Sequence, residues 1–338
     1  MRRSWRVLLA ATMAALLAAA MVAAPSGAAS DGTASASCTP ATNIEAIIDD
    51  SGSMLGSDPN RLRVQAMDLL INTLPGQTQL GAVEFGSALF EQPAASTVFP
   101  PQPVGPNADA MQGALEAVVN GDSGATDYNS AFAKADADNP NAQARIFLTD
   151  GGHNEGTYTE AHLAHNVPTY VIGFGSGLGL EEDQARLQKI AGDSGGQVFS
   201  LEDSSQLQPV MNNVGAALTC QTPPLLFTDF LKKGQSKTHV VPVGAATKKL
   251  QIALSWASPL DRFKLSHLKL IVKGKVVAAG RPKITKLRIK RTGSATFTVA
   301  KVSGLRKGKL RFSVTATKVG SGEPKVELTT QVGRGPRR

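Results

Sequence analysis

The sequence contains few of the residues from which most active sites are built. Among its 338 residues there are five histidines and two cysteines. It has no His-Glu-x-x-His motif of the kind that holds zinc in metalloproteases, and no Gly-x-Ser-x-Gly elbow leads from a predicted strand into a helix. We therefore expect a protein that is not an enzyme.

Long apolar runs are also scarce, and the single candidate lies at the N-terminus. Three arginines precede the run Val7–Ala24, and small residues follow it up to Ala29. This order predicts a secretory signal peptide over residues 1–29 and a polar linker over residues 30–42. A retained membrane anchor is the alternative, since the run reaches the lower length limit for a span. We expect the protein to be secreted, extracellular or associated with the cell envelope.

The two cysteines, Cys38 and Cys220, bracket the part of the chain in which strands and helices are predicted to alternate. In an exported protein, an even pair in such positions predicts a disulfide that closes the ends of a domain. Two free thiols are the alternative.

Negative charge is nearly absent from the last third of the chain. Residues 221–338 contain 26 Lys and Arg against 4 Asp and Glu, so the overall charge of +8 combines an acidic N-terminal part with a strongly basic C-terminal part. Together with the chain length, this contrast predicts two domains, at residues 43–220 and 225–333.

The hydrophobic pattern also differs between these parts. In the first, short apolar strands alternate with helical stretches, which predicts an α/β fold with a doubly wound, mainly parallel sheet. The same pattern predicts a short strand at Ala88–Glu91, a helix at Glu160–Asn166 and a proline-rich loop at Pro100–Pro106, near the face that would bind a ligand. In the second part, apolar residues recur at every second position between turns, which predicts a smaller antiparallel β-sandwich.

Carboxylate and hydroxyl side chains follow the first predicted strand. Asp49, Ser51 and Ser53 come after Ile47-Ile48, at the strand end where open α/β sheets bind ligands. One carboxylate and two hydroxyls are hard oxygen donors that suit Mg²⁺, Mn²⁺ or Ca²⁺ better than zinc. Taken alone, the string is equally typical of an ordinary turn.

Two later segments add a threonine and a second aspartate. Thr126 precedes a predicted helix, and Asp150 ends another predicted strand before Gly151-Gly152. With these residues, the chain over roughly 43–218 resembles the von Willebrand factor A domain family, whose metal-ion-dependent adhesion site combines Asp-x-Ser-x-Ser, a Thr and an Asp in this order. Two further runs are similar to that family, Val171–Gly175 and Leu187–Phe199.

The resemblance implies a metal site formed by Asp49, Ser51, Ser53, Thr126 and Asp150. It implies direct contacts from the serines, contacts from the aspartates made directly or through water, and a state-dependent contact from the threonine. A divalent ion, Mg²⁺ before Mn²⁺ or Ca²⁺, would keep one position open for an Asp or Glu of a protein ligand. The implied function is metal-dependent adhesion or scaffolding. The alternatives are an accessory, substrate-recruiting subunit of a secreted hydrolase and a module that binds a cell-wall polymer.

Four polar residues outside this set each have two interpretations. His153 could act as a base or touch a ligand, or it could belong to an ordinary loop. His162 and His165 could share a metal, or they could lie on a solvated helix face. Asp127 is expected to orient the loop beside Thr126 instead of binding the ion.

The C-terminal part distantly resembles the prepeptidase C-terminal-type sandwich over residues 241–260, although just Asp261 stands where that family often has several acidic residues. Six basic residues alternate with the apolar ones and are expected to form one exposed positive surface: Lys249, Lys269, Arg288, Lys290, Lys309 and Arg311. This surface is a solvated face, a docking face for the acidic domain, or an attachment site for an anionic cell-wall polymer or lipid surface. We expect no nucleic-acid binding, because the aromatic residues lie in core positions and do not interleave with the basic ones.

Overall fold

The computed structural model describes residues 38–86, 94–120, 123–175, 181–221, 224–279, 287–322 and 324–334. The predicted signal peptide and the predicted strand Ala88–Glu91 lie outside these residues. Within the described part of the chain, no helix is both long enough and apolar enough to cross a membrane.

Six strands form the sheet of the N-terminal region: β1 (Asn43–Asp49), β2 (Gln79–Phe85), β3 (Ala95–Pro103), β4 (Ala144–Thr149), β5 (Thr169–Phe174) and β6 (Gln197–Leu201). Their order is β3-β2-β1-β4-β5-β6. Neighbouring strands are parallel, except that β3 runs antiparallel to β2 at one edge. The predicted α/β fold with a mainly parallel sheet is confirmed.

Helices cover both faces of this sheet: α1 (Met54–Ser57), α2 (Leu62–Thr73), α3 (Val104–Val118), α4 (Tyr128–Asp138), α5 (Glu181–Ser194) and α6 (Leu207–Leu218). One core cluster joins the sheet to α2, α3 and α6, and a second joins it to α4 and α5. On β1, Ile48 belongs to the first cluster and Ile47 to the second. Because the central strands β1, β2, β4 and β5 are buried on both sides, they are mostly apolar instead of alternating.

The strand order reverses at β1. From β1 the chain continues to β2 on one side, and β4 lies on the other side. The carboxyl ends of β1 and β4 therefore flank the crevice in which sheets of this kind bind ligands. Asp49 ends β1, and Asp150 directly follows β4.

Two predicted segments differ from the structure. The first prolines of the predicted loop belong to β3, an edge strand, where proline is tolerated because one side of the backbone needs no partner. Pro103 pairs with Gln79 at the start of β2. These prolines therefore lie toward the amino-terminal end of β1, away from the predicted metal site. The predicted helix Glu160–Asn166 is reduced to the short 3₁₀ turn Ala161–Leu163.

Nine further strands form two antiparallel sheets: β7 (Leu225–Leu231), β8 (Ser236–Val243), β9 (Lys249–Ser255), β10 (Arg262–Val272), β11 (Lys275–Ala279), β12 (Arg288–Gly293), β13 (Phe297–Ser303), β14 (Gly308–Lys318) and β15 (Val326–Arg334). The sheets have the orders β11-β10-β14-β8 and β12-β13-β9-β15-β7. Apolar side chains from both sheets form one core cluster. This is the predicted antiparallel sandwich.

Helix α2 and the sandwich are in contact, and residues from Thr39 onward form one compact unit. Leu69 of α2 is buried in a cluster with Ala253, Phe297 and Val299. Polar pairs also join α6 to the sandwich, among them Gln208 Nε2 with Thr296 Oγ1 at 2.6 Å and Asn212 Nδ2 with Gln331 Oε1 at 2.9 Å. The boundary between residues 43–220 and 225–333 stays a prediction.

Both cysteines of the chain are disulfide-bonded, and neither is free. The predicted disulfide between Cys38 and Cys220 is thus confirmed. The backbone supports it, because the Ala41 N–H donates to the Leu218 carbonyl at 2.8 Å and holds the residues before β1 beside the end of α6.

Candidate functional site

Asp49 is fully buried at the end of β1. Its Oδ1 accepts the Ser51 backbone N–H at 2.9 Å, and its Oδ2 accepts the Thr149 hydroxyl at 2.6 Å. Burial, and then the charge of Asp150, raises the pKa of Asp49 to about 7. A cation beside these two carboxyl groups would favour their charged forms.

Asp150 contacts the loop that follows β1. Its Oδ1 accepts the Ser53 hydroxyl at 2.7 Å, and its Oδ2 accepts the Ser57 hydroxyl. The Ser53 hydroxyl lies 3.1 Å from the Ser51 hydroxyl. Three of the predicted donors therefore form a continuous chain of contacts across two loops. Ser57 was not predicted, although it lies one helical turn beyond Ser53 and that spacing places both side chains on one face.

Thr126 is held in the same place by a third segment. The Thr126 N–H donates to Asn154 Oδ1 at 2.8 Å, and the Asn154 N–H donates to the Thr126 carbonyl at 3.0 Å. A Cβ built on Gly151 would lie 3.7 Å from Ser53 Oγ and 4.0 Å from Thr126 Oγ1. The two hydroxyls thus lie near one point, and the structure brings all five predicted donors to one end of the sheet.

Two glycines fix the path of the loop after β1. Gly124 forms a parallel bridge with Ser51, and its N–H donates to the Gly86 carbonyl at 2.7 Å. Gly86 has a φ of +85°, and a Cβ there would lie 2.8 Å from Ser51 Cβ and 2.9 Å from Ser51 N. Only a residue without a side chain fits this backbone so closely.

A buried ion-pair network beneath the loop was not predicted. Arg63 Nη2 lies 2.6 Å from Asp50 Oδ1, and Arg63 Nη1 lies 3.2 Å from Asp58 Oδ2. Asp58 also accepts the backbone N–H groups of Leu62 and Arg63 at the start of α2. The network ties the loop of Ser51 to that helix. An Asp shortly before a helix is a capping signal, but nothing local distinguishes a buried arginine from an exposed one.

The donor set fits a hard divalent cation. Two carboxylates and three hydroxyls from three chain segments meet at the carboxyl ends of β1 and β4, and oxygen is the donor that such cations prefer. The described residues form no group of three or more His, Cys, Asp or Glu side chains able to hold a metal ion. The hydroxyl groups would therefore have to complete the coordination, and the identity of the ion stays a prediction.

Residues that could have served catalysis have other partners. His153 Nδ1 accepts the backbone N–H of Tyr128 at 3.1 Å, at the start of α4. Asp127 caps the same helix, because its carboxylate accepts the N–H groups of Asn129 and Ser130. This agrees with an orienting role for Asp127 beside Thr126.

His162 differs from the predicted solvated position. It is fully buried, its Nδ1 lies 3.1 Å from the Tyr158 hydroxyl, and its ring packs on Phe132. Burial lowers the pKa of His162. The difference arises because the short 3₁₀ turn packs against α4 instead of forming an exposed helix, whereas the side chain of His165 is 42% exposed.

One Gly-x-Ser-x-Gly string does occur, at Gly192–Gly196, but it leads from a helix into a strand. Its Ser194 is buried, donates its hydroxyl to the Ile190 carbonyl at 2.8 Å and accepts the Thr169 N–H at 3.0 Å. Ser194 therefore joins α5 to β5 and lacks the exposed position of a nucleophile.

The six predicted basic residues do not form one surface. Lys269, Lys309 and Arg311 are exposed on the four-stranded sheet of the sandwich. Lys249 is exposed on the five-stranded sheet, which also contains the positions of Arg288 and Lys290. The prediction of a single surface was wrong because alternation along a strand identifies the outward face but not the sheet to which the strand belongs.

Comparisons with known proteins found similarity at the level of structure. No family model and no curated protein matches the chain. A von Willebrand factor type A protein from Catenulispora acidiphila is 16% identical, with a TM-score of 0.44 over 88% of this chain and 63% of that one. Proximal thread matrix protein 1 from the mussel byssus is 24% identical, with a TM-score of 0.43 over 54% of this chain and 47% of that one.

A pilus adhesin from Lactobacillus rhamnosus GG is 12% identical, with a TM-score of 0.41 over 88% of this chain and 45% of that one. One form of the mussel protein has zinc in its metal-ion-dependent adhesion site motif. The chain spans less than two thirds of the length of each of these proteins. The structural neighbours of this chain include von Willebrand factor A domain proteins, and the similarity to them concerns the fold.

Proposed function

We propose that this chain is a secreted or surface-associated adhesion or scaffold protein, in which a divalent cation at the end of the parallel sheet binds an acidic group of a protein partner. The observation that carries the proposal is the chain of contacts from Ser51 through Ser53 to Asp150, with Asp49 buried directly behind it.

Each residue of the site has a distinct task in this proposal. Asp49 and Asp150 supply the negative charge, and Ser51, Ser53 and Thr126 supply neutral oxygens. When bound, the cation supplies a positive charge that accepts a carboxylate oxygen of the partner. Ser53 is exposed whereas the other four are buried, so the partner approaches from the side of Ser53.

A binding role is supported over a catalytic one by the surroundings of the site. His153, the nearest candidate base, uses Nδ1 to accept a helix N–H. Ser53 donates its hydroxyl to a carboxylate, as a ligand-positioning group does. Secretion is supported by the disulfide, since such bonds persist in oxidising compartments.

Loss of either carboxylate tests the cation site. In the purified full chain, Asp49→Ala and Asp150→Ala should each weaken Mg²⁺ and Mn²⁺ binding at least tenfold in titration calorimetry, because each removes a charged donor. Asp109→Ala, which removes an exposed carboxylate of α3, should leave both affinities unchanged. Zn²⁺ is titrated in parallel to identify the preferred ion. Unchanged affinity in folded Asp49 and Asp150 variants would rule out this site.

The partner is tested with a defined probe. A short peptide containing Glu should bind the wild-type protein in Mg²⁺ and lose binding in chelator, while the same peptide with Gln should not bind. Equal binding of the two peptides would contradict recognition through the ion.

We further propose that the four-stranded sheet of the sandwich attaches the protein to an anionic envelope surface. Lys264, Lys269, Lys309 and Arg311 are exposed on its outer face, and its four strands contain no Asp or Glu. Lys269 pairs directly with Arg311. Like charges directly opposite one another are unfavourable, and an anionic partner would relieve that repulsion.

Attachment of this kind is sensitive to salt. Binding to anionic lipid vesicles or to an anionic cell-wall polymer, tested separately, should weaken several-fold when salt is raised above physiological strength, and chelator should have no effect. The double variant Lys269→Ser, Arg311→Ser should weaken it further. The double variant Lys232→Ser, Lys233→Ser removes the same charge from the β7–β8 turn and should have a smaller effect. If the protein binds neither surface at low salt, the proposal is wrong and the basic residues form only a solvated face.

A further inference from the structure

A cleft of about 430 Å³ opens between the N-terminal end of α6 and the sandwich. One wall is formed by the segment that joins β6 to α6, including Glu202 and Asp203. The other wall is formed by the segment after β9 and by the start of β15. The cleft lies beyond the edge strand β6, and none of the five predicted metal ligands lines it.

The cleft collects buried polar atoms that have no hydrogen-bond partner among the described residues: Ser255 Oγ, Trp256 Nε1, Asp261 Oδ2 and Ser321 Oγ. Asp261 is fully buried. Its Oδ1 accepts the N–H groups of Gly320 and Ser321, at 2.8 and 3.1 Å, and its Oδ2 is left over. Trp256 is 4% exposed, and its indole N–H also has no partner in the part of the chain that the structure describes. Buried polar groups are nearly always paired, so these atoms require partners, which water or a ligand held in the cleft would supply.

The charge of the residues that line the cleft indicates the charge of the ligand. Among the described residues, four carboxylates line it, Glu202, Asp203, Asp261 and Glu327, against the single cation Lys325. Residues 221–338 carry 26 basic and 4 acidic residues, and two of those four acids line this cleft. Such a local excess of carboxylates, contributed by both parts of the chain, favours a cationic group.

The hydrogen-bonding groups and the aromatic rings of the cleft indicate which cationic group it binds. A guanidinium can donate in its plane to carboxylate oxygens such as Asp261 Oδ2 and can stack on an aromatic face. Trp256 and Phe230 both line the cleft, and Phe230 is 59% exposed. The unpaired indole N–H requires an acceptor, which a peptide carbonyl beside the arginine provides. A neutral sugar would pair with the serines but would leave the carboxylates uncompensated.

We propose that this cleft binds an arginine side chain of a polypeptide, with its guanidinium at Asp261 and a neighbouring backbone carbonyl at Trp256 Nε1. This goes beyond the proposed metal-dependent adhesion, because it is a second binding site with the opposite charge preference.

The chain offers a direct optical probe. It has two tryptophans, and Trp5 lies in the predicted signal peptide, so Trp256 alone reports on the cleft in the processed protein or in a Trp5→Phe variant of the full chain. Titration with acetyl-Gly-Arg-Gly-amide should give a saturable change in its fluorescence. The peptide with citrulline in place of arginine, which is neutral and nearly the same shape, should bind roughly tenfold to hundredfold more weakly. Chelator should change neither result, which separates this test from that of the metal centre.

Substitutions of the carboxylates that line the cleft test whether the peptide binds there. Asp261→Asn should weaken arginine-peptide binding about as much as citrulline does. If this buried change prevents folding, the exposed double variant Glu202→Gln, Glu327→Gln decides, with an expected loss of several-fold relative to Asp109→Asn. Equal binding of the arginine and citrulline peptides would overturn the proposal. So would a fluorescence response to a neutral disaccharide without one to the arginine peptide.

Discussion

Glu45 shows that a buried carboxyl group in this sheet can lie outside the candidate metal centre. It is fully buried on β1, and its Oε2 accepts Asn139 Nδ2 at 3.0 Å. Its Oε1 has no partner among the described residues. Burial is the largest influence and raises the pKa of Glu45 from 4.5 to about 8. The folded protein therefore holds a proton that the unfolded chain releases at much lower pH.

This pKa predicts a pH-dependent stability. The stabilising effect of the protonated Glu45 is fully present below pH 4.5 and is lost as pH rises through about 8. Glu45→Gln keeps the neutral form, so at pH 9 it should raise the free energy of unfolding by a few kcal/mol, on the order of the shift, and at pH 4.5 it should have little effect. Denaturant unfolding at both pH values measures this. Glu155→Gln, at an exposed loop position, is the control, and an equal change at both pH values in Glu45→Gln would refute the prediction.

At the scale of elements, the loop after β1 depends on close packing of backbones. Gly86 directly follows β2 and lies close to Ser51. A Cβ on Gly86 would lie within 3 Å of three atoms of Ser51. The geometry of the loop after β1 is therefore decided partly by a residue that directly follows a neighbouring strand.

Gly86→Ala should displace Ser51 and weaken Mg²⁺ binding at least tenfold, since a misplaced donor loses its contact with the ion. Gly195→Ala is a matched control, because Gly195 also has a positive φ, +78°, but has nothing within 4 Å of its Cβ position. Both variants should lose about 1–2 kcal/mol of stability from backbone strain. Calorimetry and thermal unfolding separate the two effects, and similar Mg²⁺ affinities in both variants would exclude steric control by Gly86.

At the scale of the whole molecule, the core clusters of the parallel sheet and the core of the sandwich are joined by a small apolar cluster around Leu69 and by polar pairs. The binding surfaces proposed above lie on different parts of this assembly: a cation site on the parallel sheet, a basic face on the sandwich and an acidic cleft between the two. Chelator should disrupt binding at the cation site and leave binding at the basic face and at the acidic cleft unchanged.

The disulfide closes a long segment of chain. The double variant Cys38→Ser, Cys220→Ser should lower the free energy of unfolding by about 2–5 kcal/mol, because the unfolded chain regains freedom that the bond removes. Denaturant unfolding of the oxidised wild type and of the variant measures the difference. A reduced wild-type protein should match the variant, and unchanged stability in both would show that the bond constrains little.

The sequence by itself determined the features that depend on local periodicity and on neighbouring residues. Apolar runs and their spacing predicted the parallel sheet and the sandwich. Donors after strand ends indicated a ligand-binding edge, and the resemblance to the von Willebrand factor A domain family implied that Asp49, Ser53 and Asp150 form one site there. Cysteine positions predicted the disulfide. The prediction of the site required knowing that the two strand ends lie at the same end of the sheet, and the predicted fold class supplied that information.

Tertiary structure decided everything that depends on which surfaces meet. Ser57 reaches Asp150, His162 is buried, and the basic residues divide between two sheets because of packing between segments distant in sequence. The acidic cleft likewise arises where the segment after β6 meets the sandwich, so that Asp203 and Asp261 line the same cavity. Alternation along a strand shows which side chains face the core and which face the solvent. It does not show which distant segment packs against that strand, because this depends on contacts that no single segment encodes.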